Sequence, residues 1–125
     1  MIVDASALYA FFVRSSDDHW AITGEIEISA GEELTVMPFS LMELESLVSS
    51  EFGLEGWVAV LAELGSGAWV MASMDAGHLD AVKELVEKGW ATAAASVAAH
   101  AESAGLPILS LKAEHRADEQ GEQGG

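Results

Sequence analysis

Asp4 is the residue in this chain best placed to do chemistry. It follows the apolar run Met1-Ile2-Val3 and precedes Ala5-Ser6 and the helix-like stretch Ala7-Leu8-Tyr9-Ala10-Phe11-Phe12. A carboxylate at the C-terminal end of a parallel strand lies in the crevice where α/β proteins bind their ligands. A hard oxygen donor there suits a divalent metal ion. The same aspartate also suits a plainer task, satisfying the orphan N–H groups of a helix start together with Ser6. The chain has no cysteine, which excludes disulfides, thiolate zinc sites and a cysteine nucleophile. His19, His78, His100 and His115 show no metal-ligand spacing and read as surface residues. His100, one turn after Ser96, is the one that could line a cleft.

Composition narrows the classes further. A chain of 125 residues is one domain with enough length to bury a core. No apolar run approaches the ~18 residues of a membrane helix. The first residues form a strand with no basic stretch before it, so the expectation is a soluble, cytoplasmic protein without a signal peptide. Five Lys and Arg stand against 21 Asp and Glu, a net charge of −16. Nucleic-acid binders need basic residues to displace counterions from phosphates, so this balance disfavours RNA and DNA. It fits either a saline cytosol or a basic protein partner. Trp20, Trp57, Trp69 and Trp90 read as core or interface anchors; stacking on RNA would need basic neighbours, which are absent.

The elements that must position Asp4 alternate. Strands are expected at 1–4, 34–37, 69–71 and 108–111. Helices are expected at 6–14 with Ser6 as N-cap, at 17–30, at 40–52 ended by Gly53, at 55–64, at 75–88 capped by Asp75, and at 92–104 closed by Gly105. In the helix at 75–88, Leu79, Val82, Leu85 and Val86 are expected to face inward. Strands separated by helices imply right-handed crossovers in a parallel sheet. The expected architecture is an α/β, three-layer α/β/α sandwich around four parallel strands, or five. Residues 117–125, rich in Asp, Glu, Gln and Gly, read as a disordered acidic tail.

On these elements the chain resembles the PIN domain family, and within it the VapC-type toxin ribonucleases of toxin–antitoxin pairs. Ile2-Val3-Asp4-Ala5-Ser6-Ala7-Leu8 is similar to the first family motif. Met37-Pro38-Phe39-Ser40-Leu41-Met42-Glu43-Leu44 resembles the second, with its acid one turn into a helix. Asp80 to Leu85 resembles the helix before the third motif, Ala93 to Glu102 the third-motif helix, and Gly105 to Leu111 the last strand. The resemblance covers residues 1–116. It implies a cluster of four acids holding Mg2+ or Mn2+ for RNA phosphodiester cleavage. Asp4 and Glu43 are the first two acids, as catalytic residues and metal ligands.

The chain departs from that pattern at the other two positions. Ala94 stands where the third acid belongs and Lys112 where the fourth belongs. RNA cleavage is therefore expected to be weak or lost, and the alternative is a catalytically silent binding or regulatory module. Lys112 is expected to place its ammonium between Asp4 and Glu43 as a counter-charge in place of the metal. The other arrangement uses Glu114 as a displaced acid, giving a site of Asp4, Glu43 and Glu114. Ser6 and Ser96 neighbour the site. The resemblance also implies a homodimer and an antitoxin whose basic C-terminal segment crosses the acidic groove. Phe39, Leu47, Trp57 and Leu61 are candidate surfaces for one of these partners.

Overall fold

The computed structural model describes residues 1–112. Glu114, His115, Arg116, the domain boundary at 116 and the acidic segment 117–125 therefore lie outside the described residues. The elements run β1 (Ile2–Val3), α1 (Ala5–Phe12), α2 (His19–Ile28), β2 (Thr35–Val36), α3 (Pro38–Leu64), β3 (Val70–Met71), α4 (Ala76–Glu87), α5 (Thr92–Ala104) and β4 (Ile108–Leu109). The four strands are parallel in the order β3-β2-β1-β4. No fifth strand is present among the described residues. The order of elements is the expected one. The strands are shorter, two residues each.

Strand alternation builds the three layers. Successive residues on a strand point to opposite sheet faces. Val3, Val36 and Leu109 pack with Leu8 of α1 and with Leu44 and Val48 of α3. Ile2, Met37 and Ile108 pack on the other side with Val97 of α5. α4 closes onto α5 through Val82, Ala95 and Ala99. The alanines of α5 present little side-chain bulk, which lets helix and sheet approach closely.

Several local expectations are corrected. Asp4, not Ser6, is the N-cap of α1, accepting from the Ala7 N–H at 3.0 Å. The run labelled α3 consists of two helical segments that meet at a kink at Gly53 (φ 69°, ψ −168°), so the break expected there is present. That backbone region belongs essentially to glycine, and there the chain leaves the helical path before the second segment begins. The bend brings Phe52 against Gly56, where an added Cβ would lie 2.4 Å from the Phe52 Cβ. Val82 faces inward as expected, but Leu79 and Val86 are exposed. Trp57 and Trp69 are buried, whereas Trp20 is 69% exposed beside Arg14 and His19. Trp57 thus belongs to the core, while Leu47 and Leu61 stay exposed on α3. His19 is buried, not on the surface, because its Nδ1 meets the Ala10 carbonyl at 2.8 Å near the end of α1.

Candidate functional site

The site lies where the C-terminal ends of β1 and β4 meet the N-terminal part of α3. Parallel pairing of Val3 with Leu109 sets Asp4 and Ser110 side by side just beyond the strand ends. Asp4 is 2% exposed, and hydrogen bonds from Ser6, Ala7 and Ser110 reach it. Ser6 Oγ donates to Oδ1 at 2.7 Å, the Ala7 N–H donates to the same oxygen at 3.0 Å, and Ser110 Oγ donates to Oδ2 at 2.6 Å. Each serine oxygen also accepts from the chain that follows β4. The Leu111 N–H donates to Ser6 Oγ and the Lys112 N–H to Ser110 Oγ, both at 2.9 Å. A hydroxyl can donate once and still accept, so both serines link Asp4 to the backbone of 111–112.

Glu43 reaches the same region from the second strand. Pro38 opens α3 immediately after Met37, a position where its missing N–H costs nothing. Leu44 is buried beneath the sheet-facing side of α3, which leaves Glu43 beside it in the crevice. Its Oε2 accepts from the Lys112 ammonium, an ion pair spanning 69 residues of sequence. The pair is partly screened from water: the side chains of Lys112 and Glu43 are 28% and 31% exposed.

The remaining sequence candidates divide cleanly. Ser6 bonds Asp4 directly. Ser96 is buried in α5 and donates to the Ala93 carbonyl at 2.7 Å, a bond within its own helix. Ala94 is buried in the first turn of α5 and brings no donor atom. Ser110 was not among the sequence candidates, yet it ties Asp4 to Lys112. The signal for it is positional: a hydroxyl at the end of a strand paired with the strand that bears Asp4. His100 sits apart, between α4 and α5. Its ring lies 5.5 Å from that of His78, and its buried Nδ1 has no hydrogen-bond partner among the described residues. Burial, with His78 as a second cause, holds its pKa below the ordinary histidine value.

Among the described residues, the donors do not make up a full ligand set for a catalytic divalent ion. Magnesium takes near-octahedral oxygen donors, with carboxylates supplying charge. Here Glu43 is engaged by a lysine, and Ala94 contributes no side-chain oxygen. Among the described residues, no group of three or more His, Asp or Glu side chains is placed to hold a metal.

Comparison with known proteins places this arrangement in context. Ribonuclease VapC26 of Mycobacterium tuberculosis is 39% identical over 88 residues, which cover 70% of this chain and 64% of that protein. The match thus spans less than two thirds of the relative's length. The crystal structure of M. tuberculosis VapC20, a sarcin-ricin loop cleaving toxin, superposes with a TM-score of 0.82 at 16% identity, covering 94% of this chain and 93% of that one. PAE2754 from Pyrobaculum aerophilum has a TM-score of 0.63 at 22% identity, covering 98% and 86%. At those identities the two structures speak to the fold, which is shared. The PIN domain model matches residues 1–116, nearly the whole chain, and with the parallel sheet and the acid at the end of its first strand this makes the protein a member of the PIN domain family.

Proposed function

We propose that this protein is a VapC-like member of a toxin–antitoxin pair, with residues 1–116 as its PIN unit, in which metal-dependent RNA cleavage is weak or lost. Its relationship to Ribonuclease VapC26 supports the toxin side of this reading. One observation carries the loss of activity: Glu43, the second acid of the family pattern, is paired with the lysine that stands in place of the fourth. Ala94 removes the third. Mg2+ or Mn2+ would supply the activation of water and the charge stabilisation in a complete site. With the donors found here, no catalytic step is assigned to such an ion. RNA also meets a chain of net charge −16 with five cationic side chains, so phosphate binding lacks its usual electrostatic drive.

The binding half of the function survives this loss. A groove of about 510 Å3 between α1 and α3 is lined by Phe11, Phe12, Val48, Phe52 and Val60, with Arg14, His19 and Glu63 as polar members. An antitoxin segment with apolar anchors and basic flanks suits both the groove and the chain's charge. Leu47 and Leu61 on α3 are available to a homodimer contact. The catalytically silent form of the reading is favoured over a residual nuclease by the Lys112–Glu43 pair. No helix among the described residues is long and apolar enough to cross a membrane, and a cytoplasmic location accords with the toxin reading.

The test combines co-expression with cleavage. The protein is co-expressed with any small basic protein found to be encoded beside its gene, and the purified protein is then incubated with structured RNA in Mg2+ or Mn2+. The expected results are a stable complex and cleavage no faster than that of Asp4→Asn. Failure to form the complex defeats the toxin–antitoxin reading. Cleavage that Asp4→Asn abolishes defeats the silent form.

A further inference from the structure

We propose that the Lys112 ammonium is the resident cation of the Asp4–Glu43 crevice, held there by a serine latch, and that the wild-type site excludes divalent metal. This rests on reading the chain as a PIN nuclease for the choice of ion, but the inference stands on the network itself. Ser6 and Ser110 donate to opposite oxygens of Asp4 and accept from the backbone N–H groups of Leu111 and Lys112. The backbone leaving β4 is thereby fixed at two consecutive residues. That fixation brings the Lys112 side chain onto Glu43, on another element.

The consequence is a change in what Asp4 does. In a metal site it would hold an ion; here it anchors the segment that carries the replacement charge. The lysine pairs with Glu43 while its backbone N–H is tied through Ser110 to Asp4, and its tethered charge neutralises Glu43 without the ordering cost of recruiting an ion. A divalent ion entering the crevice and using Glu43 must displace the Lys112 ammonium from it. The buried face of Ala94 offers it no new ligand. Removing Lys112 therefore opens the crevice to metal, and an acid at 112 completes a three-carboxylate set with Asp4 and Glu43.

Thermal unfolding of the full chain, with and without millimolar Mn2+, tests this without RNA or an antitoxin, so its outcome is independent of the toxin reading. The wild-type Tm is expected to be unmoved by Mn2+. Lys112→Asp and Lys112→Gln are expected to melt lower in metal-free buffer and to be raised by Mn2+, the aspartate variant more. Calorimetric titration is expected to give Lys112→Asp an Mn2+ affinity at least about tenfold above wild type. Should Lys112→Asp not fold without metal, Lys112→Gln carries the comparison. A wild-type Tm that rises with Mn2+, with a rise lost in Asp4→Asn or Glu114→Gln, overturns the proposal. So do Lys112 variants that respond to Mn2+ no more than wild type.

Discussion

At the scale of single residues, Asp4 is legible and its partners are not. The sequence order of strand, acid, serine and helix marks Asp4 as a residue at a crevice. Nothing local marks Ser110, whose hydroxyl reaches Asp4 across 106 residues of sequence because β1 and β4 pair in register. Lys112 and Glu43 meet for the same reason, 69 residues apart. The network makes a prediction that separates an anchor from a metal ligand. Neutralising a carboxylate in a cluster of acids relieves repulsion and tends to stabilise the metal-free protein. Here Asp4→Asn replaces one acceptor oxygen by an NH2 donor facing hydroxyl donors. It is expected to destabilise the metal-free protein by about 1–3 kcal/mol, read by urea denaturation. An unchanged or raised midpoint would contradict the anchoring role. Lys112→Gln removes a partly exposed ion pair and is expected to cost only about 1 kcal/mol, a fall of roughly 3–6 °C in Tm.

At the scale of elements, the helices were placed by their caps and breakers, and the exceptions have physical causes. Asp75 caps α4 as its sequence suggests, with His78 completing a reciprocal capping box. Gly53 breaks α3 into two helical segments, as a glycine at that point suggests, through a non-helical φ of 69° and ψ of −168°. Gly53→Ala meets no atom within 4 Å, so its cost is purely conformational. It is expected to lower stability by about 1–3 kcal/mol, measured by chemical denaturation. The α4–α5 pair carries a pH dependence. Burial and the neighbouring His78 lower the pKa of His100 in the folded state. The unfolded chain then binds the proton more readily, so stability is fully present above the ordinary histidine pKa of about 6.5 and declines as pH falls below it. Thermal unfolding between about pH 7.5 and 5.5 is expected to show this decline, with a shallower slope in His100→Gln. An equal slope in both proteins would assign the effect elsewhere.

At the scale of the whole molecule, composition spoke clearly about charge and only partly about burial. The net charge of −16 on 125 residues places like charges near one another over most of the surface. Screening that repulsion with salt is expected to raise Tm between low and high ionic strength, and a Tm that falls with salt would show that attractive pairs dominate instead. Burial was less legible, since His19 and Trp20 are adjacent yet only His19 is buried, a distinction set by the tertiary bond to Ala10. The PIN fold is retained, and Lys112 is proposed to rebalance the charge of its crevice from within. That central claim is tested most directly by Mn2+ paramagnetic broadening across the amide NMR spectrum of the wild-type protein. Selective loss of the Asp4, Leu44 and Ser110 signals at millimolar Mn2+ would contradict it. The account predicts that these signals persist in wild type and disappear in Lys112→Asp.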